Sequence, residues 1–199
     1  MLKMQEDYVK SGKISDRELS TILRELGNYK ADAFTAKITS RNEKKERINI
    51  VDEDFRLSNI YFPKPEEAYK TFNLVQSTII QEYADKKLNI TDISELQYVY
   101  YPLGGRFKWH NDVIRTEDQS EKLRGLTFSL NLSDPDSYDG GNLSLAMSKD
   151  NILNLNREKG SYLIFPSFMT HRVDEITRGH REAIVAWSHL SLNEINSMR

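Results

Sequence analysis

Hydrophobic positions along this chain change their period once. Over residues 15–27 the side chains Leu19, Ile22, Leu23 and Leu26 recur at helical spacing behind Ser15 and Glu18, which stand three apart as a capping box does. Gly27 closes the segment, so an amphipathic helix is predicted there. After Pro63 and Pro65, the positions Tyr69, Phe72, Val75, Ile79, Ile80 and Tyr83 repeat in the same way and predict a second, longer helix to about residue 86. From residue 96 the texture turns to short β-rich runs between clusters of Gly, Pro, Asp and Asn. These runs are Leu96–Tyr101, Arg106–Val113, Leu126–Leu132, Asn142–Met147, Ser161–Phe165, His171–Ile176 and Arg181–Leu190. Strands at this density with no helices between them predict an antiparallel sandwich or barrel such as a jelly roll. The two helices are expected to pack on one outer face of it.

One run carries a second message. Leu126, Phe128, Leu130 and Leu132 share one face of their strand, and Thr127, Ser129 and Asn131 share the other. Polar side chains on a central strand are costly against apolar packing. Either that face lines a polar pocket or it meets solvent.

The 199 residues suit one domain and can bury an adequate core without staples. We expect a single domain over 1–199, with a helix and a charged hairpin or loop in 1–54 and the β core with its supporting helix in 55–190. The charged run Arg41–Arg47 reads as solvated surface. With 28 basic and 30 acidic side chains the formal net charge is −2, so no nucleic-acid partner is expected. Cysteine is absent, which excludes disulfides, thiolate metal sites and a cysteine nucleophile. No apolar leader or membrane-length stretch is present, and the expected location is cytoplasmic.

A metal must therefore sit on His, Asp or Glu, and there are four histidines, at 110, 171, 180 and 189. In Trp109-His110-Asn111-Asp112, at the end of the predicted strand, the imidazole and the carboxylate stand two apart and so project from one face, where they can share one ion. His171, 59 residues on, starts a strand that can return beside the first. Two imidazoles and one carboxylate occupy one face of an octahedral ion and leave three positions for substrates, an arrangement suited to non-haem Fe(II) oxygenases. For an anionic substrate a cation is needed deeper in the pocket. Arg181 shares a strand face with Ala183, Val185 and Trp187, whereas Arg178 beside Gly179 reads as a turn residue. His180 reads as a surface residue, His189 as a structural one, and Gly140-Gly141 as a tight turn.

These residues add up to a resemblance. Tyr101-Pro-Leu-Gly104-Gly-Arg-Phe107-Lys-Trp-His110-x-Asp112, then Asp134-Pro-Asp-Ser-Tyr138-Asp-Gly140-Gly141-x-Leu143, then His171 and Arg181 resemble, in order and spacing, the Fe(II)- and 2-oxoglutarate-dependent oxygenases. Within them the likeness is to the prolyl 4-hydroxylase group and its bacterial and phage PKHD-type members, over about residues 55–190.

The resemblance implies a mainly β fold with flanking helices, a double-stranded β-helix of the jelly-roll or cupin-like kind. It implies Fe(II) on His110, Asp112 and His171, with O2 and 2-oxoglutarate as cosubstrates and ascorbate as a stimulant. Arg181 would grip the distal carboxylate of 2-oxoglutarate. Tyr101, Thr127, Asn131, Leu143 and Trp187 would line the cosubstrate pocket, and Trp109, Arg115 and Arg124, with the charged loop 115–122, would flank the substrate. Phe107 departs from the pattern, since prolyl hydroxylases often carry a second Tyr there. The implied reaction is hydroxylation of a C–H bond, with a prolyl residue of a peptide or protein as substrate and succinate and CO2 as co-products. A hydroxylase of a free amino acid or other small molecule, and a non-catalytic cupin-like binding protein, are the competing readings.

Overall fold

The computed structural model describes residues 7–27, 29, 33–41, 47–90, 93–113 and 122–199. Its first helix, α1 (Asp16–Leu26), begins as the sequence predicts. Ser15 is the N-cap, its side chain accepts from Glu18 N, and the Glu18 carboxylate reaches back to Ser15 N at 2.8 Å. The second helix, α2 (Tyr69–Glu82), has Ala68 at its N-cap and so no capping side chain of its own. Glu25 of α1 takes over that duty. Its carboxylate accepts from Lys70 N, Thr71 N and the Thr71 hydroxyl at 3.2, 2.8 and 2.7 Å, which satisfies amide groups at the positive end of α2 and ties the two helices together.

The described residues form sixteen strands besides these helices. The small ones are β1 (Lys10–Lys13), β2 (Phe34–Thr35), β3 (Ile38–Arg41), β4 (Arg47–Ile50), β5 (Arg56–Leu57) and β6 (Asn59–Tyr61). After α2 come β7 (Ile93–Tyr101), β8 (Arg106–His110), β9 (Lys122–Asn131), β10 (Asp139–Gly140), β11 (Leu143–Ala146) and β12 (Ile152–Asn154). The last are β13 (Ser161–Pro166), β14 (His171–Val173), β15 (Ile176–Arg178) and β16 (Arg181–Ser191), followed by a short helix, α3 (Leu192–Ser197). All pairings are antiparallel. The larger sheet runs β1-β13-β9-β16-β7-β6-β2 and the smaller β12-β11-β14-β8-β5. Together they form the double-stranded β-helix.

Central strands of the larger sheet are buried on both faces, each with its own apolar layer. Leu96 and Tyr98, Leu126, Phe128 and Leu130, Ile164, and Ile184 and Ala186 pack in one cluster with Ile22 and Leu26 of α1 and Val75 and Ile79 of α2. Val99, Tyr101, Leu163 and Phe165 face the other way and join Leu143, Leu145, Val173 and Ile176. The polar face of β9 belongs to this inner side. Thr127, Ser129 and Asn131 are all buried, so the solvent-facing alternative is excluded.

Several boundaries differ from expectation. The strand from Arg106 stops at His110 rather than running to Val113. The run His171–Ile176 is broken at Asp174 and Glu175 into β14 and β15, and β15 turns away to pair with β10. The charged run Arg41–Arg47 spans the end of a β3–β4 hairpin whose residues 42–46 lie outside the described part. No helix among the described residues is long and apolar enough to cross a membrane.

Candidate metal and cosubstrate site

Strand β14 lies beside β8 with His171 opposite His110. A register shift between this pair and Val173↔Phe107 lets Phe107 and His110, three residues apart, face the same interior. Phe107 stacks on the His110 ring at 3.5 Å between centroids, and the two imidazoles are 4.2 Å apart. Asp112 arrives differently from the one-strand geometry that the sequence spacing suggested. The strand has already ended, and the backbone is held by Asp112 N donating to Ser167 O at 2.8 Å. One donor atom each from His110, Asp112 and His171 then lies within 4.8 Å of the others.

Hydrogen bonds decide which atoms remain free. His110 Nδ1 lies 2.7 Å from Lys108 O and His171 Nδ1 3.1 Å from Met169 O. A carbonyl only accepts, so each Nδ1 carries a proton, and each Nε2 is the ring atom left to offer a lone pair to a metal. Those Nε2 atoms stand 3.6 and 3.4 Å from the two oxygens of Asp112. Asp112 Oδ2 accepts from Thr127 Oγ1 and from Trp187 Nε1, both at 3.0 Å.

Burial opposes charge on both partners, with different outcomes. It pushes the His110 imidazole down to about 3, helped by the nearby His171. For Asp112, burial works to raise its pKa, but the facing His171, then His110 and the Trp187 N–H, outweigh it and hold the carboxyl well below its usual range. A neutral imidazole and an ionised carboxylate are the forms that bind a metal. The N2O donor set, open on one side, fits a divalent transition metal such as Fe(II).

Arg181 is 3% exposed, and its guanidinium lies 5.7 Å above the ring of Tyr101, its cross-strand neighbour. No hydrogen bond or ion pair accompanies that contact among the described residues. A buried cation held by nothing but an aromatic face is a site for an anion. Burial keeps the Tyr101 hydroxyl protonated, so it can donate into the same space. Asn131 behaves otherwise. Its amide nitrogen donates to Ser133 O and Arg157 O, which leaves the buried Oδ1 without a donor. Leu143 lies in the apolar layer beside these groups.

Other sequence candidates take varied positions. Trp187 supports Asp112, and the Arg124 guanidinium covers its ring at 3.8 Å while pairing with Glu95. Trp109 is partly exposed beneath the guanidinium of Arg172. Arg178 is half-exposed and bound to Asp139, and His180 pairs with Glu182, so neither joins the site. Arg115 and most of the loop 115–122 lie outside the described residues. Arg56 was missed. It is buried, donates to Ser58 Oγ and Gln97 Oε1, and stacks over the Phe107 ring. A lone Arg on a two-residue strand gives no periodic signal by which to find it.

Comparison with known proteins agrees with this geometry. Residues 96–189 match the model of the 2OG-Fe(II) oxygenase superfamily, a span containing all three donors, Tyr101 and Arg181. Over these residues the chain is similar to the 2OG-Fe(II) oxygenase superfamily. Among its relatives are PKHD-type hydroxylases from Parvibaculum lavamentivorans, 38% identical over 87 residues, and from Rippkaea orientalis, 36% over 86. Those alignments cover 44% and 43% of this chain but 38% and 32% of the relatives' own lengths. A prolyl-4-hydroxylase from Pseudomonas putida superposes with a TM-score of 0.71 over 94% of this chain and 97% of that one, at 17% identity. A prolyl hydroxylase from Trichoplax adhaerens, in complex with a peptide fragment of the hypoxia inducible factor oxygen degradation domain, gives 0.71 over 98% and 89%, at 16%. At such identities the two structures attest the fold of this chain.

Proposed function

We propose that this chain is a 2OG-Fe(II) oxygenase that hydroxylates a C–H bond, with Fe(II) on His110, Asp112 and His171 and with 2-oxoglutarate and O2 as cosubstrates. The observation that carries the reading is the pairing of a three-donor cluster with a buried, anion-seeking arginine inside one barrel. With iron and both cosubstrates bound, one oxygen atom goes to the substrate as C–OH and the other to succinate, as 2-oxoglutarate loses CO2. The chain's own residues prepare that chemistry. The carbonyls of Lys108 and Met169 fix the imidazole tautomers, Thr127 and Trp187 fix the carboxylate, and Arg181 with Tyr101 receives the distal carboxylate of the cosubstrate.

The substrate we infer is a prolyl residue in a peptide or protein. Supporting this are the PKHD-type relatives and the fold shared with prolyl hydroxylases, one of them bound to a peptide. Phe107 in place of a tyrosine removes a hydroxyl from the space next to His110, so substrate orientation falls to other groups. The test is anaerobic addition of Fe(II) and 2-oxoglutarate, then O2, with succinate measured in the presence of proline-containing peptides or free L-proline. Stimulation by peptides alone supports the reading. Stimulation by the free amino acid alone replaces it with the small-molecule one, and no succinate under any condition overturns both.

A further inference from the structure

The double glycine is more than a turn. Gly140 and Gly141 both adopt positive φ, +73° and +63°, but for different reasons. A Cβ on Gly140 would lie 1.9 Å from Glu175 O, a backbone collision that concerns the fold alone. A Cβ on Gly141 would meet three side chains, Ile176 Cδ1 at 2.3 Å, Arg181 Cδ at 3.3 Å and Tyr138 Cε2 at 3.3 Å. The absent side chain therefore leaves the space through which the stem of Arg181 runs. Gly141 N is fixed by Glu175 O at 3.2 Å, and the Arg178–Asp139 pair ties β15 to β10, so the glycine cannot retreat from the arginine cheaply.

Among the described residues no hydrogen bond sets the reach of Arg181. Its guanidinium has the Tyr101 ring on one side, and its Cδ lies 3.3 Å from where a Cβ on Gly141 would stand. We propose that Gly141 is a positioning residue for Arg181, fixing how far the guanidinium projects and thereby the length of dicarboxylate that spans from it to the metal. This rests on the reading of Arg181 as anchor of the distal carboxylate.

The test uses the full chain loaded with Mn(II), which binds without turnover, and calorimetric titration with three 2-oxo acids. 2-Oxoglutarate has the distal carboxylate, 2-oxoadipate has it one methylene further away, and 2-oxobutyrate lacks it. Gly160→Ala is the control, because Gly160 also has positive φ, +85°, but its Cβ would make ordinary contacts with Ile14 and Leu19. Gly141→Ala is expected to raise the Kd for 2-oxoglutarate by about tenfold or more, to shrink the preference over 2-oxoadipate, and to leave 2-oxobutyrate and Mn(II) affinity unchanged. Gly160→Ala should lower thermal stability and leave all three acids alone. Should Gly141→Ala fail to fold, Gly141→Ala with Ile176→Val is measured instead, since valine lacks the methyl in the way. An unchanged Kd for 2-oxoglutarate overturns the proposal, as does an equal loss for 2-oxobutyrate or the same loss in Gly160→Ala. A wild-type protein that binds 2-oxobutyrate as tightly as 2-oxoglutarate overturns the role of Arg181 itself.

Discussion

Trp187 Nε1 donates to Asp112 Oδ2 at 3.0 Å across 75 residues of sequence, and Thr127 Oγ1 donates to the same oxygen. Two donors on one oxygen leave Oδ1 as the atom with capacity for a metal. Trp187→Phe keeps an aromatic ring under Arg124 and removes the indole N–H together with part of the ring. Supporting groups of this kind are typically worth about 10–100-fold in metal affinity. We expect Mn(II) affinity to fall by that factor in Trp187→Phe, beyond the loss of thermal stability that the smaller buried ring brings to the metal-free protein, as a titration and a melt would show.

Arg181 is expected to trade stability for binding. Its guanidinium is buried without an anion, so Arg181→Met should make the ligand-free protein about 1 kcal/mol or more stable. The same variant should lose the rise in Tm that wild type gains from 2-oxoglutarate and Mn(II) together. A variant that still gains that rise would show that the distal carboxylate is held elsewhere.

Acid should weaken the metal-free fold before any carboxylate is titrated. His110 is held at about 3 in the folded protein against an ordinary 6.5, so the unfolded chain binds the extra proton between these values. Stability then falls as pH falls through that window, by at most about 1.4 kcal/mol per pH unit. His110→Gln should flatten the decline of Tm between about pH 6.5 and 4.5. An unaltered slope would place the proton uptake on another group.

The contact between Glu25 and α2 gives a prediction remote from the metal. Glu25→Ala leaves the Lys70 and Thr71 amides without their carboxylate, and Thr71 is fully buried. Loss of a cap costs about 0.5–2 kcal/mol, and a buried donor left unsatisfied brings the value to the upper end. Denaturant melts should show that drop with the metal affinity intact, and Glu25→Gln, which keeps an acceptor, should restore part of it.

The sequence was most legible where one physical rule acts alone. The capping box at Ser15 and Glu18 and the alternation from Leu126 to Asn131 each obey a local rule, and the structure shows both. The convergence of His110, Asp112 and His171 followed from donor chemistry, although not from the strand geometry first drawn for it. Strands of two to four residues such as β1, β5 and β12 escaped notice because they exist through pairing with distant partners, not through their own composition. Arg56 went unseen for the same reason. Its burial is created by Phe107, Ser58 and Gln97, which only the folded sheets bring to it.

The pairing of β1 with β13, which sets Lys13 opposite Ser161, also has a kinetic meaning. It closes a loop over about three-quarters of the chain, and the β8–β14 pair that sets His110 opposite His171 is itself a pairing of segments far apart in sequence. Closing such loops costs entropy before any contact rewards it, and sheets dominated by distant pairings fold over milliseconds to seconds. A metal ion finds its three donors together only at the end of that search. Refolding of this chain should therefore proceed at one rate with or without Mn(II), while unfolding slows as the ion is added, because the ion grips a state that the folding barrier has already been crossed to reach.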